Sequence, residues 1–311
     1  MAQSAALKKK GKHSNSIKYT SVGDKVYLAL TLIILTVMLI VVAFPLIYVI
    51  SSSFSSPTAV GNGRVILLPV EPGIEGYRAV FSTPMIWRGY RNSLFYTVFG
   101  TLINLVMTML AAYPLSRRDL KVRKFVNIMF SFCMIFGAGM IPSYLLVRDL
   151  KLLNTIWALL IPGAMSVYNV IIARTYIQTS VPHELYESAS LDGCSDFRYL
   201  WQIVVPLSKP IIAVLTLWYA VGHWNSYFNA MIYLRDQSLA PLQIVLRNIL
   251  IVEDMDSIEM MNDINRFLDK QYMKNLYQYS LIIVASAPVM MMYPFIQKYF
   301  IKGIMLGSIK G

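Results

Sequence analysis

The chain is short of charge. Charged side chains make up 14% of its 311 residues, against about 25% in an ordinary soluble domain. It has two cysteines, Cys133 and Cys194, too few for a disulfide framework or a Cys-rich metal site. Its three histidines, His13, His183 and His223, are far apart in the sequence, and no HExxH stands among them. No GxxxxGK[ST] is present either, so the chain does not itself cradle a nucleotide phosphate. Asp and Glu are missing from the long apolar runs, which argues against a proton relay. No convergent His, Asp or Ser groups lie within those runs to support a membrane-embedded enzyme.

What the chain has is apolar surface. Hydrophobic residues account for 56% of it, and the mean hydropathy is +0.54. The formal net charge of +12 would suggest nucleic acid in a soluble protein, but no RNP motif or zinc finger accompanies it. In a membrane protein the same excess marks cytoplasmic loops. A spanning helix needs about 20 apolar residues, because the hydrocarbon core is about 30 Å thick. Six stretches qualify, at about 26–50, 94–115, 125–147, 156–177, 211–234 and 279–301. The expected fold is therefore all-α and polytopic, with six transmembrane helices. The first stretch is too long for the apolar core of a cleaved signal and reads as an anchor.

Orientation follows from the Lys and Arg residues of short loops. Lys8, Lys9, Lys10, Lys12, Lys18 and Lys25 precede the first span. Arg117, Arg118, Lys121, Arg123 and Lys124 follow the second. Both segments belong inside, which puts both termini in the cytoplasm. Segments 51–93, 148–155 and 235–278 fall outside, the last carrying Glu253, Asp254, Asp256, Glu259, Asp263 and Asp269. The chain divides into a basic cytoplasmic tail (1–25), a six-helix transmembrane domain (26–302) and a cytoplasmic C-terminal tail (303–311).

The loop 180–210 has structure of its own. Val181-Pro182-His183-Glu184 opens like a helix, with a proline and an acid at its start. Leu185, Ala189 and Leu191 are expected near one face. Gly193 is expected to break the helix. Asp196 is expected to cap a second helix, 197–204, ended by Pro206. Two short helices with a glycine elbow, turned to the cytoplasm, form a docking surface; structured loops of this length are usually functional.

The run E-S-A-x-x-x-G-x9-I-x-V-P, Glu187 to Pro206, resembles the EAA loop of ABC importer permeases. Glu187, Ala189, Gly193, Ile203 and Pro206 match; Ser188 and Val205 replace alanine and leucine. Asn92-Ser93-Leu94, Leu110 to Arg117, Ile141 to Leu146, Leu152 to Ala158, Trp224-Asn225-Ser226-Tyr227-Phe228 and the Gly303 to Gly311 tail occur in the order found in MalG-like permeases of carbohydrate importers. His223 before Trp224 is less typical. The chain most resembles the Gram-positive branch that imports complex oligosaccharides, such as pectin-derived ones.

That resemblance implies a non-catalytic transport subunit of the cell membrane that binds no cofactor, with ATP and Mg held by partner ATPase subunits. The implied partners are a second, non-identical permease, an ATPase homodimer and an extracellular substrate-binding lipoprotein. It implies that Glu187, Ala189, Leu191, Asp192, Gly193, Ile203 and Pro206 couple to the ATPase. It implies also that Gly307, Lys310 and Gly311 reach that subunit. For a sugar pathway the aromatic and amide side chains of the fourth and fifth spans are candidates: Tyr168, Asn169, Trp224, Asn225, Tyr227 and Asn229. The alternative substrate is an amino acid or peptide. A channel or secondary carrier working without ATPase partners is a further alternative. Met290-Met291-Met292 has no Cys or His cluster beside it and reads as packing rather than a metal path.

Overall fold

The structure is a computed structural model that describes the backbone of residues 21–252 and 264–308. Lys8, Lys9, Lys10, Lys12, Lys18, Glu253, Asp254, Asp256, Glu259, Asp263, Lys310 and Gly311 lie outside the described residues. Every regular element among the described residues is helical.

Helix α1 (Val22–Ser53) starts at Ser21, whose side chain accepts the Gly23 N–H, and runs through an almost uninterrupted apolar sequence. None of its most apolar window, mean hydropathy 3.0, is covered by the rest of the chain. A helix that is apolar all round is stable only where lipid or another protein is its solvent. Its last residues, Ser51–Ser53, are buried. There Ser51 Oγ donates to the Leu67 carbonyl at 2.6 Å, and Ser53 Oγ meets the Tyr77 hydroxyl at 2.8 Å. The short helices α2 (Pro57–Gly61) and α3 (Glu75–Phe81) pack beside that corner on the long C-terminal helix.

Helix α4 (Pro84–Ser116) is the axis of the bundle. Three later predicted spans are interrupted. The third divides into α5 (Arg123–Ile135) and α6 (Met140–Asp149), which meet at 115° across Gly137-Ala138-Gly139. The fourth divides into α7 (Trp157–Leu160) and α8 (Val167–Ser180), broken at Pro162-Gly163.

After α8 come α9 (His183–Leu191), α10 (Asp196–Tyr199), a π turn over Leu200–Val204, and α11 (Val205–Leu207). Helix α12 (Lys209–Trp224) leaves this region at 84° and ends in the middle of the fifth predicted span. Beyond lie α13 (Phe228–Tyr233), α14 (Leu242–Val252) and α15 (Ile264–Ser308). Among the described residues three helices are long and apolar enough to cross a bilayer alone, and up to five crossings arise if each sharply bent pair counts as one. The third and fourth apolar runs are divided at Gly137-Ala138-Gly139 and Pro162-Gly163, and the fifth at Asn225-Ser226-Tyr227. At 45 residues α15 extends to about 68 Å at 1.5 Å per residue, more than twice the hydrocarbon thickness. It continues through Gly303 and Gly307 to Ser308.

The gap between α7 and α8 and the approach of α12 are held by polar contacts. Asn104 of α4, 1% exposed, accepts from His223 Nε2 at 2.6 Å and donates to the Gly163 carbonyl. One turn away, Thr108 Oγ1 meets the Tyr219 hydroxyl at 2.7 Å, and that hydroxyl accepts the Ser166 N–H at 3.4 Å. Together these bonds tie α12 and the gap between α7 and α8 to α4. The approach of α12 requires a glycine at position 100, because a Cβ there would lie 2.4 Å from His223 Nε2. Gly100→Ala gains up to about 1 kcal/mol of helix propensity, but overpacking costs about 1–3 kcal/mol. The variant is expected to melt earlier in detergent, and His223→Ala in the same chain should restore part of the loss. A Gly100→Ala melting temperature equal to or above wild type would show that the helices do not meet this closely.

Candidate functional site

The helix pair α9 and α10 is joined by a Schellman cap. The Cys194 N–H donates to Ala189 O at 2.9 Å and the Gly193 N–H to Ser190 O at 3.1 Å. Gly193 sits at φ +71°, the left-handed conformation that favours glycine, and Asp192 is the C-cap. The expected break is present where the sequence puts it. The second helix is capped by Ser195, whose hydroxyl accepts the Arg198 N–H at 3.4 Å, and not by Asp196, which is the first helical residue. Pro206 does not end this helix. The wider π register of Leu200–Val204 accommodates its missing N–H, and the chain stays helical to Leu207.

One face of the pair is anchored. Ala189, Tyr199, Leu200 and Val204 are buried in the same apolar cluster as Ala173 and Ile177 of α8 and Leu215 of α12, with Ile203 partly buried against it. The other face is bare: Leu191 is 90% exposed and Phe197 66%. Leu191 therefore does not share a face with Ala189. Two residues along a helix are about 200° around its axis. The Glu187 side chain is exposed too, facing His183 Nε2 at 3.6 Å.

Arg117, the residue after α4, clasps this pair to the bundle. Its Nη1 donates to Asp196 Oδ1 and, at 3.4 Å, to the Tyr113 hydroxyl. Its Nε donates to Asp119 Oδ1 at 2.9 Å, and Nη2 reaches Asp119 Oδ2 and the Tyr186 hydroxyl. The guanidinium carbon also stands 4.1 Å from the centroid of the Tyr186 ring. A planar fork can serve four partners at once, where an ammonium would serve fewer. Orientation by loop charge counts Arg117 as one cation among five and misses this role. The available signal was an Arg at a helix C-terminus followed two residues later by an acid.

Hydrogen bonding to Arg117 holds the Asp119 carboxyl below its ordinary range. The pair is therefore intact at neutral pH and is lost only as the medium becomes acidic enough to protonate this lowered carboxyl.

Of the sugar-pathway candidates, Trp224 and Asn225 share one cavity, and Tyr168, Asn169, Tyr227 and Asn229 are not among the residues lining it. Tyr168, 55% exposed, stacks on Trp218 at 6.1 Å between centroids. Asn169 is buried. Trp224 is buried against Tyr90, and its Nε1–H donates to Ala285 O at 3.0 Å, so the indole is a packing anchor. Asn225 is exposed and, together with Trp224, lines a cavity of about 370 Å³ that Gln243, Ser286 and Met290 also border. The Tyr227 hydroxyl contacts Met231 Sδ at 3.3 Å, and Asn229 is exposed on α13. No group of three His, Cys, Asp or Glu able to hold a metal occurs among the described residues.

Arg117→Ala removes all of these bonds and is expected to destabilise the chain by about 1–3 kcal/mol, with Arg117→Lys intermediate. Thermal melting in detergent reads this directly; an Arg117→Ala chain as stable as wild type would remove the clasp from the account.

Comparison with known proteins places this arrangement in a family. The family described as "Binding-protein-dependent transport system inner membrane component" matches residues 15–306. Protein LplC of Bacillus subtilis is 40% identical over 267 residues, 86% of this chain and 89% of its own. The polygalacturonan/rhamnogalacturonan transport system permease protein YtcP of the same organism is 40% identical over 273 residues, 88% of this chain and 94% of its own. A solved structure of a bacterial ABC transporter involved in the import of the acidic polysaccharide alginate contains a similar chain. Its TM-score is 0.81 at 33% identity, over 91% of this chain and 99% of that one. The chain belongs to the binding-protein-dependent transport system inner membrane components, a family of non-catalytic permease subunits with several helical spans.

Proposed function

We propose that the chain forms half of the translocation pathway of an ATP-driven oligosaccharide importer. In this reading α9 and α10 are the handle by which a separate ATPase moves the bundle. Family membership and the relatives named for carbohydrate transport support the importer. The observation that carries the handle is the two-sided character of the helix pair: Ala189 and Tyr199 are buried against α8 and α12, while Leu191 and Phe197 are bare.

Six crossings are proposed, with both termini cytoplasmic. Helices α1, α4 and α15 cross whole, while α5 with α6, α7 with α8, and α12 with α13 cross as interrupted segments. A second permease would complete the pathway. An ATPase homodimer would grip Leu191 and Phe197, with Glu187 offering its carboxylate to a basic group there. An extracellular lipoprotein would deliver the sugar. Gly307, Lys310 and Gly311 would lie near the ATPase. ATP-driven closure of the ATPase dimer displaces α9 and α10 as a body, and the attached helices rock. Tyr168 with Trp218, and Asn225 beside its cavity, are the groups best placed to meet sugar faces and hydroxyls. An amino acid or peptide as substrate finds no charged side chain in the Asn225 cavity to pair with its charges.

Gly193 tests the handle. A Cβ there meets no atom within 4 Å, so substitution acts only through the backbone. A non-glycine residue in the left-handed region costs about 1–2 kcal/mol, and asparagine tolerates that region best. Gly193→Asn should keep most transport in proteoliposomes of the whole importer. Gly193→Pro, locked at negative φ, should abolish uptake even where ATP turnover persists. Uptake by Gly193→Pro at the wild-type rate would refute the handle.

A further inference from the structure

Four cations stand together at the turn between α4 and α5 without a carboxylate for any of them. Arg118, Lys121, Arg123 and Lys124 line a cavity of about 580 Å³, with Asn127 and Ser131 completing its polar wall. Among the described residues, ion pairs use Arg64, Arg117, Arg148 and His183, and none of these four. The nearby acids Asp119 and Asp196 are taken by Arg117. Arg123 Nη1 donates to the Arg117 carbonyl at 3.4 Å, which holds the turn without neutralising the charge. Helix α5 begins here with no acid in its first turn and no side-chain cap, so the positive end of its dipole adds to the same field. Clustered charge of one sign raises the local concentration of anions.

The cavity is continuous with an apolar ladder. Ile128 lines its wall. Along α5, Phe125 is 70% exposed, Ile128 61%, Phe132 58% and Ile135 73%. These residues recur every three or four positions and so share a side of the helix. The opposite residue Phe130 is buried toward α4 and α8.

We infer that this cavity is a headgroup site for an anionic phospholipid. Arg118, Lys121, Arg123 and Lys124 hold its phosphate, and its acyl chains lie along Phe125, Ile128, Phe132 and Ile135. A free phosphate accounts for the cations but not for the ladder; an acidic lipid accounts for both. The assignment needs α5 to begin at a membrane surface and does not depend on what the permease carries. Because the cavity shares Leu120 and Lys121 with the one beside Arg117 and Asp196, the lipid sits next to the clasp.

The test uses the assembled importer, delipidated and then offered phosphatidylglycerol and phosphatidylcholine, with retained lipid read by native mass spectrometry. Wild type should retain phosphatidylglycerol selectively, and millimolar inorganic phosphate should not displace it. The exposed positions Lys121 and Lys124 are changed separately and together to Gln. Selectivity should fall by about fivefold for each cation removed, while Lys121→Arg with Lys124→Arg keeps it. Unchanged selectivity in K121Q/K124Q would overturn the inference. So would displacement by phosphate, which marks a free-anion site, or loss of a protein subunit with lipid still bound, which marks a protein interface. Oligosaccharide uptake by the wild-type importer, measured in parallel, reports separately on the proposed function.

Discussion

The guanidinium of Arg117 joins the end of α4 and the adjoining turn that carries Asp119 to a helix pair distant in sequence, through Tyr186 and Asp196. A lever transmits displacement only if its attachment is stiffer than the force it carries. Apolar burial of Ala189, Tyr199 and Val204 supplies the attachment's area. The planar fork of Arg117 supplies its direction, because hydrogen bonds fix orientation where apolar contact does not. In the proposed coupling, motion imposed on the bare residues Leu191 and Phe197 would reach α4 and α12 instead of being lost in a flexible loop.

The membrane part of the chain meets a related constraint. Helices broken inside a bilayer expose backbone groups that lipid cannot satisfy. Here the backbone freed between α7 and α8 is tied back to α4 and α12, while Gly137-Ala138-Gly139 is exposed. Asn104 takes up the Gly163 carbonyl, the Tyr219 hydroxyl accepts the Ser166 N–H, and His223 closes the link from α12. Gly100 is the counterpart of this network, since its lack of a side chain gives the His223 ring its place. The polar groups that a hydropathy profile counts as flaws are the contacts that position the interrupted helices.

The helix pair was legible in the sequence because its signals are local. Gly193 and the Pro182-His183-Glu184 start of α9 act within a few residues, and the elbow lies where they put it, although Ser195 rather than Asp196 caps the second helix. The breaks were less legible. The apolar runs at 125–147, 156–177 and 211–234 satisfy the length of a span, and length alone does not tell whether the proline, glycine or polar residues within them will be absorbed or will divide the helix. Pro206 shows the same ambiguity in reverse, because a π turn carries the helix past it. Trp224 stood out as an aromatic inside a span, yet only the fold shows its N–H committed to Ala285. Arg117 was hidden for the opposite reason: its partners lie 2, 69 and 79 residues away, and no local pattern marks the longer pairings.

The most direct measurement of the central claim is site-specific cross-linking at the bare end of the handle. With Cys133 and Cys194 replaced by serine, Leu191→Cys in the assembled importer should form a cross-link to the nucleotide-hydrolysing subunit, and its yield should change when ATP is added. A Leu191→Cys that forms no such cross-link, yet reacts freely with a membrane-impermeant thiol reagent applied to the outside of intact cells, would contradict the account.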